Sequence, residues 1–183
     1  MLVLLSTAGL GQYEEVVYSW APADQRPQEY RTAFFQAAAN AIFRPDKVFL
    51  MATSEALAHE NCKRVQKEIG EHLELVPIPR GSSEEELWRI FDTVSSIVPE
   101  GARIILDVTH AFRSLPLLLF GVVTYLRRVK DTKLELIVYG AYEASESGPD
   151  GGVRVPVFGL TGLADLEEWP QALGALALRS GAD

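Results

Sequence analysis

The stretch Ile105–Leu126, ILDVTHAFRSLPLLLFGVVTYL, changes character twice. It opens as part of a continuous apolar run, the form a strand takes when both faces of its sheet are covered. From Ser114 onward, LPLLLFGVVTYL has no polar face, and a helix apolar all round is buried on more than one side. Between the two lie Asp107, Thr109, His110, Arg113 and Ser114. A strand, a polar loop and a helix make one βα unit. The question is whether the rest of the chain repeats it.

It does. Leu2–Thr7 reads as a buried strand followed by the Gly-containing loop STAGLGQY. Arg31–Phe43 has helical spacing, and KVFLMAT is a second strand ending in small polar residues. Ser54–Glu71 reads as a helix and LELVPIP as a third strand. In GSSEEELWRIFDTVSSIV, Ser82 or Ser83 caps a helix whose first turn holds Glu84–Glu86. ARIILDVT and KLELIVYGAYEA are the fourth and fifth strands, and Ser114–Val129 is the helix between them. SESGPDGG is a turn, VRVPVFGL a sixth strand returning antiparallel at the edge, and LADLEEWPQALGALALRSGAD a helical pattern. The expectation is an α/β chain: a Rossmann-like doubly wound, mostly parallel sheet of about six strands with helices on both faces.

Composition narrows the function. The 183 residues suit one domain spanning 1–183, and 48% hydrophobic with 23% charged residues is ordinary for a globular chain. No apolar run is long and uncharged enough to span a membrane, and MLVLLSTAGLG lacks a basic leader, so a cytoplasmic chain is expected. A single cysteine, Cys62, excludes an internal disulfide and a cysteine-based metal cluster, and the three histidines have no HExxH spacing. No metal site and no cofactor are expected. A net charge of −8 argues against broad electrostatic binding to duplex DNA or RNA. The charge is uneven: residues 101–133 hold six basic and two acidic residues, a net of +4, so the remainder carries −12. Arg127, Arg128 and Lys130 suit the end of a helix, whereas Arg113 lies at the other end and needs a different reason.

Ligands of open parallel sheets bind beyond the carboxyl ends of the strands. Two such ends are polar here: Ser6-Thr7-Ala8-Gly9-Leu10-Gly11-Gln12-Tyr13, and Thr109-His110-Ala111-Phe112-Arg113-Ser114. Both lead toward helices, whose free N–H groups can face an anion. Arg113 can grip a phosphate, glycines 9 and 11 allow close backbone approach, and Tyr13 and Phe112 can stack on bases. Together they suit a nucleotide. Asp107 can instead serve the turn that follows it, by accepting backbone N–H bonds, and His110 can be a satisfied core histidine. A dinucleotide fingerprint would need its third glycine at position 14, where this chain has Glu14, and there is no Walker A lysine. Arg103 and His110 mimic a loose ribonuclease spacing but fall at opposite ends of one strand, roughly 23 Å apart at about 3.3 Å per residue. The apolar helix after Ser114 must cover the sheet on one side and meet something on the other, most simply its own copy about a two-fold axis.

The string LDVTHAFRSLPLLL, followed by IVYGAYEA, resembles the CRISPR-associated Rossmann-fold (CARF) sensors of type III CRISPR systems. STAGLGQY, KVFLMATSEA, VPIPRGSSEEELWRIFD and VPVFGLTGLADLEEW agree in order and spacing, so the resemblance covers most of the chain. One segment departs: relatives usually carry D-L-T-P where this chain reads Gly159-Leu160-Thr161-Gly162. The resemblance implies a homodimer that binds a cyclic oligoadenylate, most often cyclic tetra-adenylate, across the two-fold axis. Its ligand loops correspond to Ser6–Tyr13 and Thr109–Ser114, with Asp107 beside them. Many relatives continue into a ribonuclease or other effector domain, so the chain can be a sensor part of a longer effector.

Three functions follow. The first is a ring nuclease, in which a ribose 2′-OH attacks the adjacent phosphate to leave a 2′,3′-cyclic phosphate without a metal. His110 would be acid or base, Arg113 would stabilise charge, and Ser6 or Thr7 would position the 2′-OH. The second is a sensor module that binds without cutting. The third is a nucleotide enzyme outside the family using a nicotinamide or S-adenosylmethionine, against which the incomplete glycine fingerprint counts.

Overall fold

A computed structural model describes residues 1–23, 25–110, 114–148 and 151–162. The parallel heart of the sheet comprises β1 (Leu2–Thr7), β4 (Lys47–Ala52), β5 (Leu73–Pro77), β6 (Arg103–Asp107) and β7 (Lys133–Gly140). β1 lies between β4 and β6, both parallel to it; β5 extends the sheet beyond β4, and β7 beyond β6. The chain therefore winds away from β1 in both directions, and the topological switch point lies between the carboxyl ends of β1 and β6.

Alternation along each strand feeds two cores. Val3 and Leu5 of β1, with Ile104 and Leu106 of β6, pack under α4 (Glu84–Ile97) and α5 (Leu115–Val129). Leu4 and Ile105 face the other way, toward α1 (Phe35–Phe43) and α3 (Glu60–Ile69). Helices thus cover both faces, and the mostly parallel α/β sheet expected from the sequence is the one observed.

Several details differ. Among the described residues the sheet has nine strands rather than about six. β2 (Val16–Trp20) and β3 (Gln28–Thr32) form an antiparallel hairpin in a stretch with little apolar continuity, and β8 (Glu146–Ser147) is a two-residue pairing on β9 (Val153–Gly159). β9 is antiparallel to β7 as expected, but it is not an edge: β2 pairs with its other side, and β3 becomes the edge. The expected helix from Arg31 starts at Phe35, because Arg31 and Thr32 belong to β3. The expected helix Ser54–Glu71 is two, α2 (Ser54–Ala58) and α3, broken where extended His59 turns its Nδ1 to accept from the Asn61 N–H. In α4, Ser83 is the cap: its Oγ accepts the Glu86 N–H, while Glu86 reaches back to Ser82 N–H. The Gly159–Gly162 departure closes the sheet: Ile137 N–H donates to Thr161 Oγ, and Leu160 N–H donates to the Ile137 carbonyl. The helical pattern at the end of the sequence lies outside the described residues, as do Ala111, Phe112 and Arg113. No helix among the described residues is long and apolar enough to cross a membrane.

Candidate functional site at the switch point

The polar residues at the ends of β1 and β6 first satisfy one another. Asp107 is completely buried. Its carboxylate accepts the Ser6 hydroxyl at 2.5 Å and the Thr109 N–H at 2.8 Å, and the Thr109 hydroxyl also bonds to it. Thr7 donates its hydroxyl to the His110 carbonyl, and buried Gln36 of α1 donates to the Thr7 carbonyl. Thr109 Oγ accepts the Gly140 N–H, tying the loop to β7. Buried polar groups must find partners, and this network supplies them. It welds three neighbouring strands and α1 into one rigid rim.

Above that rim are two cavities. The inner one, about 250 Å³, is lined by Thr7, Ala8, Gly9, Leu10 and Tyr13 of the first loop, and by Thr109 and His110 of the second. The outer one, about 610 Å³, is lined by Gln12, Tyr13, Thr109 and His110. Tyr13 and His110 form the partition, their rings 4.7 Å apart at 49°. The structure therefore brings the first predicted loop against Thr109 and His110 of the second.

Not every predicted residue faces a cavity. Ser6 and Asp107 are fully buried beneath the rim. The Gly11 carbonyl accepts from Asn61 Nδ2, which pins the loop to α3. Ser114 faces a separate groove between α4 and α5. The space above Gly9 is filled by the chain itself, since a Cβ there would lie 2.1 Å from the Tyr13 hydroxyl. Glycine at 9 thus makes room for Tyr13.

Further lining residues went unread in the sequence. Met51, Ala52, Thr53 and Ala56 bring the end of β4 and the start of α2 into the inner cavity, with Ile78 and Leu115. Glu14, Tyr18, Ala33, Tyr139, Gly140, Tyr142 and Glu143 line the outer one. The small polar residues after β4 were a signal, because β4 adjoins β1 and ends on the same side. The tyrosines of β7 and its following turn carried none.

The electrostatics centre on Asp107 and His110. Burial raises the Asp107 pKa, and the Ser6 hydroxyl, His110 and Thr109 only partly oppose it. Burial lowers the His110 pKa, with Asp107 pulling the other way. His110 is consequently neutral near pH 7, and its buried Nε2 has no hydrogen-bond partner among the described residues. Burial also raises the Tyr13 phenol, so it stays protonated. Arg103, by contrast, pairs with Glu135 at the far end of β6. No group of three or more metal-ligating side chains occurs among the described residues.

Residues 3–143 match the family described as CRISPR system endoribonuclease Csx1, CARF domain. The chain belongs to this CARF family. The CARF chain is also 31% identical over 129 residues to CRISPR-associated protein MJ1674 of Methanocaldococcus jannaschii, a match covering 62% of this chain and 20% of the relative. It thus spans about a fifth of the length of that curated relative. Among solved structures, Enterococcus italicus Csm6 bound to cyclic hexa-2′-fluoro-hexa-dAMP aligns with 77% of this chain and 33% of its own, at 15% identity and a TM-score of 0.45.

Proposed function

We propose that the CARF chain binds a cyclic oligoadenylate, cyclic tetra-adenylate by preference, across a homodimer two-fold axis. We further propose that it cleaves the ring without a metal, as a ring nuclease that limits a type III CRISPR antiviral response. The observation that carries the reading is the cavity pair at the switch point, with the His110 imidazole in the wall between them, its Nε2 unpartnered among the described residues. A neutral His110 can accept the proton of a ribose 2′-OH as the 2′ oxygen attacks phosphorus. The P–O5′ bond then breaks, the 5′ oxygen takes a proton, and a 2′,3′-cyclic phosphate remains. α5 begins beside the inner cavity with no side-chain cap among the described residues, so the N–H groups of Leu115 and Leu117 are available to an anion, Pro116 between them having none. Arg113, one residue before Ser114, would add the cation that the described walls of the inner cavity lack.

The homodimer is supported by the outer face of α4 and α5. Leu117 is 76% exposed and Trp88 58%, and both line an apolar groove of about 600 Å³, where the exposed Tyr125 ring packs on the lining Phe91. Exposed apolar patches of this kind mark association surfaces. Ser114 lines the groove and immediately follows the site loop, so a two-fold axis here would bring two sites together.

A sensor that binds without cutting is the second reading. The short coverage of MJ1674 favours it, because residues outside the match leave room for an effector. The burial of Ser6 and the use of the Thr7 hydroxyl within the rim favour it too. The deciding experiment incubates the chain with cyclic tetra-adenylate in EDTA and separates the products, with His110→Ala and Arg113→Ala alongside. Linear products from the wild type, lost in a variant that still binds, support the nuclease. Intact ligand with tight binding supports the sensor. Failure to bind either cyclic tetra- or cyclic hexa-adenylate sinks both.

A further inference from the structure

The two cavities differ in chemistry as well as size. Ligand pockets usually run from roughly 300 to 1,000 Å³. The inner cavity falls just short of that range, and the outer one, at about 610 Å³, is well inside it. The outer walls are aromatic and acidic: Tyr13, Tyr18, Tyr139 and Tyr142 with Glu14 and Glu143. Apart from His110, no described lining residue of the outer cavity can carry a positive charge. Two carboxylates without a cation repel a phosphate. They attract an N–H donor, and the tyrosine faces suit a planar ring.

One of the carboxylates is already oriented. Tyr139 Oη lies 2.8 Å from both Oε atoms of Glu143. A carboxylate has about four acceptor sites, so one phenol leaves most of them open. The turn carrying Glu143 is itself fixed: Ala141 N–H donates to the Pro156 carbonyl, and Ala144 N–H to the Ala141 carbonyl. The cavity floor at Gly140 is equally firm, since a Cβ there would meet Phe35 at 2.6 Å.

We infer that the outer cavity is a base-reading compartment in which Glu143, held by Tyr139, selects a planar heterocycle bearing an exocyclic amino group. This rests on the oligoadenylate reading above and adds to it a division of labour. Phosphates lie on the inner side of the Tyr13–His110 partition and one base lies on the outer side. Adenine offers its 6-amino group to the carboxylate. Hypoxanthine, with a 6-oxo group at the same place, sets oxygen against oxygen.

The test compares cyclic tetra-adenylate with cyclic tetra-inosinate by titration calorimetry. The proteins are the wild type, Glu143→Gln, and Glu146→Gln as a neighbouring acid outside the cavity. The readout is the ratio of the two affinities, which a general folding defect does not change. The wild type and Glu146→Gln should favour the adenylate ring about tenfold or more, as for a hydrogen bond to a charged group. Glu143→Gln should lose most of that preference, because its amide can face the base with either C=O or NH2. Equal affinities in the wild type, or an intact preference in Glu143→Gln, overturns the inference while leaving oligoadenylate binding standing. Absence of binding by either ring overturns the tetra-adenylate reading on which the inference rests.

Discussion

Ser6 of β1 donates its hydroxyl to Asp107 of β6 at 2.5 Å, both side chains fully buried, across the two strands that define the switch point. The bond holds the ends of both candidate loops at a fixed spacing. Ser6→Ala leaves a buried carboxylate one donor short, which costs about 1–3 kcal/mol of stability. Its effect should be non-additive with Asp107→Asn, since the two residues share one interaction. Urea denaturation of the two single variants and the double variant measures this. A Ser6→Ala protein that keeps wild-type stability but loses cleavage would place Ser6 against the ligand instead.

Gly9 and Tyr13 make a second pair whose coupling can be measured. A methyl group at position 9 collides with the Tyr13 hydroxyl at 2.1 Å but stays 3.5 Å from the ring carbon bearing it. The colliding atom is the far end of a side chain, so Gly9→Ala should swing Tyr13 off His110 rather than unfold the loop. The His110 ring proton resonances should then shift as the stacked ring leaves. Tyr13→Phe removes the colliding atom, so the Gly9→Ala/Tyr13→Phe double variant should keep a stacked ring. Identical spectra for Gly9→Ala and the wild type would show that the loop backbone, not Tyr13, absorbs the methyl.

His110 and Asp107 should leave opposite marks on the pH dependence of stability. The folded His110 binds its proton less tightly than the unfolded chain, whose histidine titrates near about 6.5. As pH falls through that value the unfolded state protonates first, so stability present above it is progressively lost toward the folded pKa. His110→Gln removes this slope. Asp107 is the reverse: its folded pKa is raised, so its penalty is absent below the unfolded value of about 3.9 and grows as pH rises toward the folded one. Denaturation midpoints at about pH 7.5 and 5.5 should fall further in the wild type than in His110→Gln. Equal falls would mean that His110 is not held neutral by burial.

Much of this was readable because the parallel strands are continuous apolar runs separated by amphipathic or apolar helices. β1 was bounded at Leu2 and Thr7 from sequence, and α5 to within a residue of its start. The doubly wound order follows from that pattern, and with it the meeting of the Ser6–Tyr13 loop with Thr109 and His110. The β2–β3 hairpin escaped because Gln28–Thr32 is mostly exposed and polar, and its strand character comes from pairing with Val16–Trp20. β9 was misplaced as an edge for the same reason, since its second neighbour had not been seen. Inside the site, sequence showed which residue types stand at the rim but not which of them spend their hydrogen bonds on each other. Ser6, Thr7 and Asp107 look like ligand groups in a linear reading and form an internal network in space. Tyr139 and Glu143 stand four residues apart at the end of a strand and in the turn after it, and only the fold turns them into one wall.

The two sides of α5 should respond differently to substitution. Leu119 is fully buried against the sheet and Leu117 is 76% exposed. Leu119→Ala empties a packed site and should cost about 2–5 kcal/mol whatever the oligomeric state. Leu117→Glu touches no core and should change monomer stability by no more than about 0.5 kcal/mol. In a dimer built on the α4–α5 face, however, it buries a charge without a partner. Light scattering after size exclusion should therefore show a dimer for the wild type and a monomer for Leu117→Glu, with Trp88→Glu behaving alike. If the ring ligand spans the two-fold axis, the same variants should lose its affinity although they alter no cavity residue. A monomeric variant that binds as tightly as the wild type would confine the site to one chain.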